Sequence, residues 1–228
     1  MTALPILYSL QNCPYAMRAR LAILLAEQAV YLRPIVMKNK PAEMLAVSPK
    51  ATVPVLVLGD KQQGLKQHSS NVQVIDESLD IMLWALKRND PQDLLYASQP
   101  DALAEMLQVI EQNDRQFKPD LECYKDAKRY HHEDLEACRL KCEPFVQHLE
   151  QRLTQHAFLM GEQPSLLDYA LLPFVRQFSK VNRQLYLNGP YTHLQAWLNQ
   201  HLQSRLFSKA MFKHPLWLDT QQNVLFGG

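Results

Sequence analysis

Glycine is scarce in this 228-residue chain, which has only Gly59, Gly64, Gly161, Gly189, Gly227 and Gly228. No G-x-G-x-x-G turn and no G-x-x-x-x-G-K-[ST] loop can be written with them, which argues against nucleotide cofactors held by such loops. Net charge is nearly absent too. The 24 Lys and Arg stand against 23 Asp and Glu, so the whole chain makes no electrostatic case for nucleic acid or an anionic membrane. No window approaches the ~18 consecutive apolar residues of a membrane span; the longest candidates, such as "LLDYALLPFV", are interrupted by charge or proline. "MTALPILYSL" lacks the basic region, apolar core and small-residue cleavage site of a signal peptide. With four cysteines and no such leader, a reducing cytosol is the expected compartment.

The chain divides into two halves of different character. Over residues 1–90, strand-like and helix-like runs alternate: "PILYSL" (5–10), a helix after Cys13, "VYLRPIVM" (30–37), "VPVLVL" (53–58), "NVQVI" (71–75) and the helix "ESLDIMLWALKR" (77–88). The order β-α-β-(loop or helix)-β-β-α argues for a mixed α/β layer. "NDPQD" (89–93) supplies turn formers and a boundary. Residues 91–228 then read as all-helical, with amphipathic runs at 100–115, 133–156, 165–181 and 191–207 and breaks at Pro119, "GEQPS" and "NGP". In "PSLLD", Ser165 and Asp168 have the spacing of a helix-start capping box, and Pro173 should bend the helix that follows.

"SLQNCPYAMRARLAILLAEQ" (9–28) sets a cysteine before a proline at the mouth of an apolar helix. Met17, Leu21, Leu24 and Leu25 share one helical stripe, and Pro14 suits the first helical position, so Cys13 falls near the N-cap. The unpaired N–H groups there favour a thiolate over a thiol. Ala16 stands where a C-x-x-C pair would have its second cysteine, so a mixed disulfide at Cys13 must be resolved by another molecule's thiol. In "TVPVL", a cis Val53-Pro54 turn would leave the Val53 backbone free to pair with an extended peptide; the plainer reading is an edge-strand proline. In "IDESLDI", helix-start amides and the Ser78 hydroxyl can hold a carboxylate and Glu77 an ammonium; the plainer reading is capping. Lys38 and Lys40 belong to a local basic excess over residues 1–60, where six basic side chains meet three acidic ones. An anionic ligand is drawn to such an edge.

"CPYAMRARLAI", "MKNKP", "SPKATVPVL" and "IDESLDIM", in this order, resemble the glutathione-binding domain of cytosolic glutathione S-transferases, most closely the cysteine-type omega group and its bacterial relatives. "GEQPSLLDYALLPFVRQF" resembles the family's capping-box helix. The resemblance implies a thioredoxin-like domain over 1–90, an all-helical domain over 91–228, and an active site between them. It makes Cys13 the catalytic thiol, Lys40 the contact to the glycine end of glutathione, Val53 before cis-Pro54 the partner of its cysteinyl backbone, and Glu77 with Ser78 the holders of its γ-glutamyl end. Glutathione is then the co-substrate, with a small electrophile or a disulfide as second partner, and no metal, nucleic acid or membrane. The first activity expected is thiol transfer, deglutathionylation or dehydroascorbate reduction. Conjugation to apolar electrophiles and a non-catalytic binding role are the alternatives. The family favours homodimers, while the long polar segment "GDKQQGLKQHSS" (59–70) leaves a monomer open. The family often has glycine before V-P; here Lys50-Ala51 stands there, and alanine takes a positive φ only at a cost, so this loop must differ or be strained.

Other residues carry less. His131, His132, Cys138 and Cys142 lack the C-x-x-C or H-E-x-x-H spacing of a metal site. Tyr8 lies near where some family members use a hydroxyl, but it alternates as a packing strand residue. Phe117, Tyr124 and Tyr130 are candidates equally for the second-substrate cleft and for ordinary helix packing.

Overall fold

A computed structural model describes residues 4–59 and 73–228. In chain order its elements are β1 (Ile6–Leu10), α1 (Pro14–Leu25), β2 (Val30–Ile35), α2 (Ala42–Val47), β3 (Val55–Leu58), β4 (Gln73–Ile75), α3 (Ser78–Leu86), α4 (Ala102–Gln112), a π-helical turn (Asn113–Phe117), α5 (Lys118–Tyr130), α6 (Leu135–Leu153), α7 (Leu166–Val181), α8 (Arg183–Asn188), α9 (Thr192–Leu202), α10 (Arg205–Ala210), α11 (Trp217–Thr220) and β5 (Val224–Phe226). They fall into two compact units, Met1–Gln92 with Arg205–Gly228, and Asp93–Ser204. Residues 71–72 and, after Gly59, the polar segment 59–70 lie outside the described residues.

The first unit is the expected α/β layer, a thioredoxin-like sheet in the order β4-β3-β1-β2-β5. β1 and β2 are parallel, joined through α1, with Ile6 opposite Tyr31 and Leu10 opposite Ile35. β3 runs antiparallel to β1, and β4 antiparallel to β3. One face carries a core of Ile6, Tyr8, Ile35, Met44, Val53 and Val55. The helix α1 is buried almost all round, from Ala16 to Ile23, rather than along one stripe, as a helix in a layer interior should be. The C-terminal segment differs from the expectation that all of 91–228 is helical. β5 adds a fifth, antiparallel strand, with Val30 opposite Phe226 and Leu32 opposite Val224. Backbone pairing of β5, with α10 packed on α1 and α11 on β2, draws Arg205–Gly228 into the first unit. Gly227 takes φ +76, and a Cβ there would collide with the Gln28 carbonyl, so this turn requires glycine.

The second unit is all helical. Pro119 does not break it: α4, the π turn and α5 follow one another without interruption, with Pro119 in the first turn of α5. A proline is tolerated there, and the π turn changes the backbone register just before it. The capping box is present. Asp168 Oδ2 accepts from the Ser165 backbone N–H at 2.8 Å and from its hydroxyl at 2.7 Å, while Oδ1 accepts from Leu159 N–H at 3.0 Å and Trp197 Nε1–H at 2.8 Å. Four donors on one buried carboxylate offset its desolvation. Pro173 sits inside α7, which continues through it to Val181.

Candidate functional site

Cys13 is the N-cap of α1, extended at φ −71 and ψ 125, with Pro14 following as the first helical residue. The Met17 N–H donates to the Cys13 carbonyl at 2.9 Å, and the Cys13 sulfur is not occupied in capping. It is half-buried, a free thiol, packed against the edge of the sheet core. Its Sγ lies 3.8 Å from the Val53 carbonyl oxygen, and the Val53-Pro54 peptide is cis. Two motifs forty residues apart in sequence thus meet in space.

The loop that carries Cys13 is also held by a buried cation that none of the sequence motifs marks. Arg20, seven residues along α1, is 2% exposed. Its Nε donates to the Ala210 carbonyl at 2.8 Å, and its terminal nitrogens donate to Ser9 Oγ at 2.5 Å, the Leu10 carbonyl at 3.1 Å and the Gln11 carbonyl at 2.8 Å. Burial lowers Arg20 from its usual range, and attraction to Cys13 partly restores it. The guanidinium therefore ties together the β1–α1 loop that carries Cys13 and also supplies a fixed positive charge to the site. The available signal was a charged residue at i+7, on the same helical face as Cys13 and within an apolar helix.

The Tyr8 and Ser9 hydroxyls are both engaged. Tyr8 is 2% exposed, and its oxygen accepts from Arg33 at 2.8 Å. Arg33 also donates to Asn223 Oδ1 at 2.8 Å and lies over the Trp217 ring at 3.9 Å. Burial raises Tyr8 above its usual phenol range. Tyr8 packs, as its strand alternation indicated.

Glu77 is linked to Lys50, three residues before Val53, and Ser78 follows Glu77 at the start of α3. Ala51 takes φ 55, so the loop before V-P is strained as expected for alanine in the left-handed region. The helix α3 starts at buried Ser78 with Glu77 as its N-cap. Glu77 forms an ion pair with Lys50, and Ser48 Oγ donates to Asp76 Oδ2 at 2.9 Å. The residues preceding the cis turn are thus linked to the start of α3. Lys40 is half-buried just past the Val36–Asn39 turn, immediately before α2.

In the second unit, Phe117 is core, its ring 4.7 Å from Phe145. Tyr124 is buried against Phe178, and Tyr130 is exposed. His131 and His132 are exposed. Cys138 is bonded to Cys123, a pairing that their spacing gave no reason to expect. These two sulfurs and an Asp134 carboxylate oxygen lie within 4.8 Å of one another, but the sulfurs hold each other rather than an ion. Among the described residues, no helix is long and apolar enough to cross a membrane.

Two family models match the sequence, the N-terminal domain of glutathione S-transferase over residues 7–93 and the C-terminal domain of glutathione S-transferase over residues 133–200. Comparison with curated proteins finds no match. Among solved structures, glutathione transferase Omega 2C from Trametes versicolor is similar at TM-score 0.75 and 21% identity, over 92% of this chain and 94% of that one. A glutathione transferase family member from Pseudomonas fluorescens with two glutathione bound is similar at TM-score 0.74 and 17% identity, over 91% of this chain and 92% of that one. A glutathione S-transferase-I bound with lactoylglutathione is similar at TM-score 0.72 and 21% identity, over 92% of this chain and 99% of that one. The first model spans β1 to α3 with the cysteine and cis-proline turns, and the second spans the capping-box helix. On that double match the chain belongs to the glutathione S-transferase superfamily.

Proposed function

We propose that the protein is a cysteine-type, glutathione-dependent thiol transferase acting through Cys13. The observation that carries this reading is a free thiol at the N-cap of a helix, 3.8 Å from the carbonyl that precedes a cis-proline. The first-turn N–H groups of α1 lie at this cap position, and the buried Arg20 guanidinium holds the loop that carries it. In the proposed reaction, Cys13 thiolate attacks the glutathionyl sulfur of a mixed disulfide. The substrate thiolate leaves, and Cys13 carries glutathione as a disulfide. A second glutathione thiolate attacks the glutathionyl sulfur, releasing Cys13 thiolate and glutathione disulfide. The resolving thiol comes from solution because Ala16 replaces a second active-site cysteine.

Glutathione would lie along the Val53 turn, its cysteinyl backbone paired with Val53 beside Pro54 and its glycine carboxylate near Lys40. Its γ-glutamyl carboxylate would meet the first amides of α3 and the Ser78 hydroxyl, and its ammonium would meet Glu77. Glu77 already binds a cation, Lys50, so the ligand's ammonium would take over an existing partner. The glutathione and lactoylglutathione held by the similar structures support this choice of ligand. The test is intact mass after incubation with glutathione disulfide, wild type beside Cys13→Ser. Wild type should gain one glutathione that reduced glutathione removes, and Cys13→Ser should gain none at this position. Absence of the adduct from wild type would sink the reading; conjugating activity that survives in Cys13→Ser would favour transfer of glutathione to an electrophile instead.

A further inference from the structure

We propose that Cys123 and Cys138 form a second redox site, a reversible dithiol–disulfide couple in the helical unit that exchanges with glutathione and sets the width of the aromatic cleft beside it. The proposal goes beyond the reading of Cys13 and does not require Cys13 to react. The helix α5 ends on His131, left-handed at φ 58, and α6 begins after its N-cap Asp134. This turn brings Cys123 on α5 and Cys138 on α6 to a Cα separation of 5.6 Å, where they are bonded; that separation lies within the usual disulfide range.

Their accessibilities differ. Cys138 is 2% exposed, whereas Cys123 is half-buried, so an incoming glutathione thiolate reaches the Cys123 sulfur. The bond between the two sulfurs breaks and its electron pair stays on Cys138, in the first turns of α6. On taking a proton from solvent, the Cys138 thiol donates to Asp134 Oδ2, 3.8 Å away. A second glutathione thiolate then attacks the glutathionyl sulfur on Cys123, releasing the Cys123 thiolate and glutathione disulfide. Two glutathiones are oxidised and one protein disulfide is reduced; glutathione disulfide drives the reverse. Cys142, one turn along α6, does not compete at neutral pH, because burial and the nearby Asp120 and Glu143 push its thiol up to about 12 against a weaker lowering by Arg139.

The residues following the two cysteines connect the bond to a cleft. Tyr124 and Arg139 line a cleft of about 280 Å³ together with Phe178, Tyr186 and Tyr191. Arg139 binds Glu143 at 2.5 Å, and Glu143 accepts from the Tyr191 hydroxyl at 2.5 Å. The spacing of α5 and α6 at the disulfide therefore fixes the distance between Tyr124 and the Arg139–Glu143–Tyr191 chain. Reduction removes that constraint toward the turn of the helical hairpin.

The test uses the Cys13→Ser protein equilibrated in reduced and oxidised glutathione mixtures, then unfolded, alkylated and weighed. One thiol, Cys142, should react in oxidising mixtures and three in reducing ones, through a single two-electron transition that peptide mapping assigns to Cys123 and Cys138. Hydrogen exchange over residues 185–191 should be faster in the reduced form, and Cys123→Ser should exchange at the reduced rate in every mixture. The proposal is overturned if the pair stays open or closed throughout the range, if exchange over 185–191 is the same in both forms, or if the reduced protein retains a metal ion in its native mass spectrum. Because Cys13 is absent, these results are independent of the glutathione adduct expected there.

Discussion

Ala51 shows how a single backbone angle bears on the proposed site. At φ 55 it occupies a region that costs an alanine about 1–2 kcal/mol, and it lies two residues before the cis bond that faces Cys13. Ala51→Gly relieves this strain but loosens the unfolded chain, which offsets about 0.5–1 kcal/mol. The expected result is a net gain of about 0.5–1 kcal/mol in urea unfolding, by the difference of those terms. A loss of stability would mean that the surrounding loop requires the alanine methyl group. This strain was legible beforehand, because the sequence places alanine where the family often has glycine. Arg20 was not legible in its role: its partners are backbone carbonyls of the β1–α1 loop and of Ala210, and backbone groups leave no trace in a residue pattern.

Among the elements, α9 carries a pH dependence. His201 is 5% exposed and packs edge-on to Trp197 at 4.8 Å and Tyr169 at 5.3 Å; among the described residues its Nε2 has no hydrogen-bond partner. Burial lowers its pKa, and Asp168 opposes this more weakly. The native state then binds fewer protons than the unfolded chain. The stabilisation is complete above the ordinary histidine value of about 6.5 and is lost as pH falls below it. The urea midpoint should therefore decrease between pH 7.5 and pH 5.5, and His201→Phe should flatten part of that decrease. His148 and His214, also lowered by burial, retain the rest; an unchanged slope in His201→Phe would show that His201 does not contribute. The capping box at Ser165 was readable because it is local and needs two residues three apart. The π turn and the continuity through Pro119 were not, since proline at the first turn of a helix and proline at a break look alike in sequence.

At the scale of the whole molecule, the N-terminal elements through α3 followed the sequence reading closely, because hydrophobic runs and turn residues mark them. The exception is the C-terminal segment, whose three-residue strand is too short to show alternation and whose partner, β2, lies nearly two hundred residues earlier. A chain ending at Gln221 should show faster amide exchange over Val30–Leu32 and a lower first-unit stability, with α7 amides unchanged; protection retained at β2 would mean that β5 is dispensable. The same pairing has a consequence during synthesis. The strands β1 to β4 leave the ribosome first, but their sheet waits for β5 until all of Asp93–Ser204 has been made. At about 5–20 residues per second, the roughly 150 residues from β4 to β5 take about 7–30 s. Throughout it the nascent β2 edge offers unpaired backbone groups to any neighbouring chain, so the vulnerable period for this protein is set by translation speed.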